Sequence, residues 1–286
     1  MPSRDPAMPL SETTSTPSAR NLWLRVASAA ILAPLAAGAA YLGDWPFTLF
    51  WLVAAIAVWW EWVGLVDPAG RHVVLATGAC ALIVQAILLE TGHSAIAIMV
   101  VALGVLAAVV TAGRQSPLVA SGIVYASALL VAPVLLRADP VYGLVVILML
   151  FAVVWGTDIG GYFSGRAFGG PKLAPAISPK KTWSGAIGGT IVGIAAAIAI
   201  CSLFGVKSLV LVGVIALALS VASQAGDLFE SWLKRRVDAK DASGLIPGHG
   251  GVMDRLDGFI IAATVAALFG VVRGGLETPA HALFVW

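Results

Sequence analysis

Charge is scarce in this chain. Only 11% of its 286 residues are Asp, Glu, Lys or Arg, less than half of the roughly one quarter that a soluble domain carries, and that deficit excludes an ordinary water-soluble globule. Cysteine is nearly absent too. Cys80 and Cys201 lie inside apolar runs with no partner at metal-ligand spacing, so no disulfide framework is implied and both read as small core residues. The first 20 residues lack an apolar core. Rich in Ser, Thr and Pro, they read as a disordered tail, not a cleaved signal peptide. No internal repeat is visible, so the inverted symmetry of many transporters has no support. A net charge of +2 says little about partners, and no nucleic-acid partner is expected.

What is abundant is apolar sequence, 59% of the chain, with a mean hydropathy of +0.95. Runs of about the 20 residues that cross a bilayer fall near 23–42, 46–66, 72–89, 93–112, 118–136, 141–160, 183–205, 208–227 and 257–273, the third and fourth being least distinct. The expected fold is therefore an all-α, polytopic membrane protein of nine spans. With the N-terminus placed in the cytoplasm, only Arg137, Lys207 and Arg273 of the 17 Lys and Arg fall outside, as the positive-inside tendency requires. Trp59, Trp60, Trp62, Trp155, Trp183 and Trp232 would then lie near the cytoplasmic interface. Asp158, Asp227, Asp254 and Asp257 fall at the same ends of their spans, and the two long, basic, glycine-rich loops share that face.

The division that follows is a disordered cytoplasmic tail over 1–20 and N-terminal transmembrane helices over 21–140, serving as scaffold or dimerisation region. A C-terminal transmembrane catalytic region with two cytoplasmic loops covers 141–273, and a short tail covers 274–286.

Four stretches carry candidate chemistry. In SQAGDLFESWLKRR, Ser223 to Arg236, the eighth span continues as a helix that sets Ser223, Asp227, Glu230, Ser231 and Lys234 on one face. A carboxylate at membrane depth costs about 2.5 to 3.5 kcal/mol, so Asp227 should face protein, water or a cation; a plain pairing with a nearby Lys or Arg would also serve. The loop from Asp238 to Gly258 contains Gly244, Gly248, Gly250 and Gly251, which let backbone N–H groups approach a phosphate. Asp254 and Asp257 follow at i and i+3, as magnesium ligands beside substrate phosphates or as a complement to the helix dipole. His249 either donates to a phosphate or stabilises the turn, and Arg255 either clamps a phosphate or pairs with an acid.

In ISPKKTWSG, Ile177 to Gly185, Pro179 after Ser178 marks the start of the seventh helix, and Lys180 and Lys181 form an anion site or anchor the topology there. Gly185, Gly189 and Gly193 are spaced for close helix packing. In WGTDIGGYFSGR, Asp158 precedes a glycine-rich exit and supports the site. Glu61, among tryptophans, either snorkels to the interface or meets a lipid head group; both stay open.

From Ser231 to Asp257, with Lys234, Arg235, Lys240, Asp241, His249, Gly250, Gly251, Asp254, Arg255 and Asp257 in register, the chain resembles the integral membrane phosphatidate cytidylyltransferases, also called CDP-diacylglycerol synthases. The SPKKTW and SQAGDL segments extend the resemblance over Trp155 to Gly258, and upstream only hydropathy agrees. Ser184 departs from a Glu found in many bacterial members, so no catalytic acid is expected there.

The resemblance implies a magnesium-dependent reaction of CTP with phosphatidate, giving CDP-diacylglycerol and pyrophosphate. It also implies a homodimer in the bacterial inner membrane with its site at the cytoplasmic face. Asp227 and Asp254 are the implied ligands of magnesium, paired with potassium. Asp257, Lys234 and Arg255 complete the expected catalytic set. Ser178, Lys180, Lys181, Ser223, Arg235, Lys240, His249, Gly250 and Gly251 are the expected substrate contacts. The rival class, a membrane carrier of phosphorylated anions, is disfavoured because the acids cluster at one interface instead of along several spans. The CDP-alcohol phosphotransferases are disfavoured because Asp257 and Gly258 lead into FIIAA, not into their spaced aspartates.

Overall fold

The computed structural model describes residues 19–66, 71–111, 116–239, 241–246 and 250–285. Lys240, His249 and nearly all of the expected N-terminal tail lie outside the described residues. Within them run α1 (Ala19–Leu42), α2 (Asp44–Val66), α3 (Arg71–Glu90), α4 (Ser94–Thr111), α5 (Ser116–Arg137) and α6 (Gly143–Phe168). An antiparallel hairpin follows, β1 (Lys172–Ala174) with β2 (Ser178–Thr182), then α7 (Trp183–Leu203), α8 (Leu209–Arg236), α9 (Met253–Gly274) and the short α10 (His281–Phe284). Helices α2 to α9 are each long and apolar enough to cross a membrane, and α1 is apolar over Ala30–Leu42. Every expected apolar run is thus a helix, eight of them meeting the requirements of a span, and the all-α polytopic architecture holds.

Connections are short enough to alternate the helices end to end, and long-range bonds mark the two ends of the bundle. At one, the Arg137 guanidinium closing α5 donates from Nε to the Ala40 carbonyl of α1 at 2.6 Å, and Asp139 accepts the His281 N–H that opens α10 at 3.2 Å. The other end gathers the C-termini of α6 and α8 with the N-termini of α7 and α9, and the candidate site lies there. Between the ends, α8 packs against both α7 and α9, α9 against α5, and α5 against α2. A polar thread holds α6, α7 and α8 together within the bundle: Thr157 and Ser220 hydroxyls meet at 2.8 Å, Ser220 donates to Thr190 at 3.1 Å, and Gln224 donates to Thr190 at 3.0 Å.

Three sequence expectations change. The sixth span does not end in a glycine-rich exit after Asp158, because α6 runs on to Phe168. Its glycines face those of α7 instead: a Cβ on Gly189 would lie 2.5 Å from the Thr157 carbonyl oxygen, and one on Gly193 3.0 Å from that of Val153. Backbone meets backbone across this seam, as the spacing of Gly185, Gly189 and Gly193 anticipates. Neither carbonyl can swing aside, so Gly189→Ala is expected to destabilise the protein by about 1–3 kcal/mol, measured by unfolding in detergent.

The tryptophans of α2 do not all sit at an interface. Trp59 and Trp62 are fully buried, their indole N–H groups donating to the carbonyls of Leu75 (3.2 Å) and Leu118 (2.8 Å), and Trp51 stacks on Phe259 of α9 with ring centroids 4.6 Å apart. Gly78 and Gly122 make the room, since a side chain at either would strike an indole ring. Trp60, Trp155, Trp183 and Trp232 are exposed. Of the two cysteines only Cys201 is a core residue; Cys80 is exposed, in an apolar groove between α3 and α4 of about 460 Å³ that carries no charged group.

Candidate active site

The last turns of α8 put Asp227, Glu230, Ser231 and Lys234 on one face by helical periodicity alone, and α9 crosses that face with its own first turns. Glycine makes the crossing close: a Cβ on Gly258 would strike the Ser223 side chain, and one on Gly226 the carbonyl oxygen of Asp257. Lys234 lies between the helices. Its ammonium reaches Glu230 Oε2 at 3.2 Å on its own helix and Asp254 Oδ1 at 2.6 Å on the next. The other Asp254 oxygen, Oδ2, accepts the backbone N–H groups of Gly251 (2.7 Å) and Ala242 (3.0 Å), so this carboxylate draws in the α8–α9 loop. Asp257 accepts the Gly258 N–H at 2.8 Å and lies within electrostatic reach of Asp227, Glu230 and Asp158.

The second constellation meets the first, though by a different local structure from the one expected. Ser178 and Pro179 do not begin a helix; they lie in β2, and the N-cap of α7 is Thr182, whose hydroxyl accepts the Gly185 N–H at 3.1 Å. The hairpin carries Lys181 to Asp227, Nζ to Oδ2 at 2.5 Å, while Lys180 is exposed on the same strand. Arg235 of α8 holds the hairpin by donating from Nε to the Ile177 carbonyl. Ile177, Ser178, Ser231, Lys234, Arg235 and Ala239 line a pocket of about 230 Å³ between hairpin and helix. Ser184 donates to the Gly169 carbonyl and so secures the turn after α6.

The expected residues therefore divide. Asp227, Asp254, Asp257, Lys181, Lys234, Ser178 and Arg235 converge at one end of the bundle. Gly250, at φ +85°, and Gly251 shape the loop beside Asp254. Arg255 is exposed and within electrostatic reach of Asp158. Ser223 is buried against Gly258 at the helix crossing.

Two further residues emerge. Glu230 is 3% exposed, and its carboxyl meets that of Asp257 across the helix crossing; its place three residues after Asp227 was the signal for it. Glu61 of α2 is 1% exposed and belongs to neither an interface nor a head group. Its Oε1 accepts the Ser243 hydroxyl at 2.6 Å and the Val252 N–H at 2.8 Å, and its Oε2 accepts the Met253 N–H at 2.7 Å. A carboxylate from the N-terminal half thus caps α9, whose own N-cap residue, Val252, offers no side-chain acceptor. Gly251 leaves space for it, since a Cβ there would come within 2.6 Å of Glu61 Oε1.

The acids present only oxygen, the donor chemistry of a hard cation. Asp227 fits such an ion better than Asp254 does: its side chain is 36% exposed and its Oδ1 takes only a long, 3.4 Å bond from Ser231, whereas Asp254 is 7% exposed and its oxygens hold Lys234 and two loop N–H groups. Glu230, whose carboxyl meets that of Asp257, adds further oxygen at the same crossing. Among the described residues no three His, Cys, Asp or Glu side chains converge as a ready metal cluster.

The chain is similar to known proteins along most of its length. A protein of Brucella suis biovar 1 (strain 1330), named phosphatidate cytidylyltransferase, is 41% identical over 268 residues, covering 92% of this chain and 98% of that one. A protein of the same name from Brucella abortus biovar 1 (strain 9-941) is 43% identical over 256 residues, 88% of this chain and 94% of its own. In Bacillus subtilis (strain 168) the similarity to a protein of that name is 43% over 124 residues, 42% of this chain and 45% of that one. The model of the cytidylyltransferase family matches residues 23–272, from within α1 to near the end of α9, and the chain belongs to that family.

Proposed function

We propose that the chain transfers a cytidylyl group from CTP to phosphatidate, forming CDP-diacylglycerol and releasing pyrophosphate. The observation that carries this reading is the convergence of α8, α9 and the β-hairpin, which gathers acids and lysines at a single end of an apolar bundle, beside a pocket lined by Ser178, Ser231, Lys234 and Arg235. An anionic lipid and an anionic nucleotide can both reach such a place, the lipid sideways between helices and the nucleotide from water. The protein sits in the inner membrane of a bacterium with this end, and the N-terminus, on the cytoplasmic side. The resemblance read from the sequence also supports a homodimer.

A phosphate oxygen of phosphatidate attacks the α-phosphorus of CTP, and the bond to the β-phosphate oxygen breaks. The nucleophile is already ionised at neutral pH, so the chain has no strong base to supply; its task is to align two anions and offset their charge. Lys181 and Lys234 each hold an acid now and offer ammonium donors to phosphate oxygens at the pocket. Lys180, Arg255 and the loop around Gly250 complete the basic surroundings of the site. Asp227 and Asp254, with Asp257 in support, would hold magnesium paired with potassium. Bound there, magnesium would neutralise charge that builds on the phosphoryl oxygens.

Purified protein incubated with labelled CTP, phosphatidate and magnesium is expected to yield a liponucleotide and one equivalent of pyrophosphate. Uptake of a phosphorylated anion into sealed vesicles without any liponucleotide would favour a carrier instead.

A further inference from the structure

We infer that Glu61 is a positioning residue for nucleotide binding, through which the N-terminal helices shape the loop between α8 and α9. The inference rests on the cytidylyltransferase reading above and assigns within it a task to α2. Three donors converge on this one buried carboxylate from two places in the loop, Ser243 near its start and Val252 and Met253 at its end. The bonds at both places use Oε1, so the carboxylate closes the loop on itself. Inside that closure the Ser243 hydroxyl accepts the Leu245 N–H at 3.1 Å, and Ile246 donates to the Gly250 carbonyl at 2.8 Å. Asp254 ties the same loop at Ala242 and Gly251. The loop is thus slung between a carboxylate of α9 and one from outside the catalytic region.

A helix N-terminus commonly receives a phosphate, but here the N–H groups of Gly251, Val252 and Met253 are already given to Asp254 and Glu61. The phosphates are left to lysines and to the described loop around Gly244 and Gly250, which Glu61 holds in place. A loose loop must be ordered by the nucleotide itself, which weakens binding without altering the bond-breaking step.

Glu61→Gln is the discriminating change because it preserves size. An amide has one accepting atom, not two. Whichever way it turns, its NH2 faces a backbone N–H, that of Met253 in one orientation and that of Val252 in the other. The KM for CTP is expected to rise about tenfold, as the loss of one hydrogen bond to a charged group implies, with kcat and the KM for phosphatidate within about twofold. Ser243→Ala, which spares the carboxylate, is expected to raise the KM for CTP by a smaller factor, about threefold, in the range of one neutral hydrogen bond. In Glu61→Gln combined with Ser243→Ala, the second change is expected to add less than it does alone.

Hydrogen–deuterium exchange gives a readout that needs no activity. Peptides over 242–253 are expected to exchange faster in both single variants, and peptides from α6 and α7 at the wild-type rate. An unchanged KM for CTP in variants whose loop exchanges faster would overturn the inference, and so would unchanged loop exchange. A purely structural Glu61 would lower the yield of active enzyme and hence apparent kcat, leaving KM where it was. Should Glu61→Gln fail to fold, Ser243→Ala decides between the same outcomes. If wild-type protein makes no liponucleotide, the cytidylyltransferase reading fails, while the exchange arm still reports whether Glu61 holds the loop.

Discussion

Asp227→Asn is expected to lower liponucleotide formation by about a thousandfold, on the scale of removing a principal electrostatic stabiliser of a reacting group, while unfolding stability stays within about 1 kcal/mol of wild type. The two halves of that expectation have different origins. Asp227 is 36% exposed, and its ion-pair partner Lys181 is 26% exposed, so water screens the pair and its loss barely disturbs the fold. The same exposure leaves the carboxylate accessible to a cation and to substrate. Asp254→Asn should lose activity to a similar degree but also destabilise the protein by about 1–3 kcal/mol, the cost of hydrogen-bonding groups left unmatched. An asparagine can keep its carbonyl toward Gly251 and Ala242 only by turning its NH2 toward the Lys234 ammonium. Initial rates with labelled CTP, set beside denaturant unfolding in mixed micelles, separate the two acids. Full activity in both variants would remove them from the chemistry; an equal stability loss in both would make Asp227 structural as well.

That asymmetry could not be read from the sequence, and the reason is physical. Asp227 and Asp254 are both legible as carboxylates at the ends of apolar runs, and the helical period correctly puts Asp227 and Lys234 on one face. The apolar runs, the extension of α8 to Arg236 and the glycine seam of α7 were legible for the same reason, since each follows from composition or spacing within one element. What is not local is lost. Glu61 binds an N–H 191 positions away, and nothing in WWEWVG distinguishes a remote helix cap from an interfacial acid. Lys181 meets Asp227 through a hairpin whose Ser-Pro start mimics a helix N-terminus, yet the strand continues to Thr182 before the helix begins. The glycines after Asp158 suggested a loop because glycine favours one in isolation; packed against the glycines of α7, they stay helical.

Lys234→Met is expected to cost about 3–5 kcal/mol of stability, as breaking a buried ion pair by removing one partner does, and to abolish turnover. Methionine fills much of the same space, so the effect comes from charge. Without the ammonium, Glu230 at 3% exposure and Asp254 at 7% face each other across the α8–α9 crossing with nothing between them. Glu230 is the worse placed of the two, because it loses the lysine while still facing the Asp257 carboxyl, whereas Asp254 keeps its loop N–H groups. The double variant Glu230→Gln with Lys234→Met should therefore recover part of the lost stability, since it removes the buried carboxyl left without its cation. Activity should stay lost, because Lys234 also faces the pocket that would receive the phosphates. Stability costs that simply add in the double variant would show that Glu230 and Lys234 do not compensate one another. Recovery of turnover along with stability would show that the lysine holds the fold and takes no part in binding phosphate.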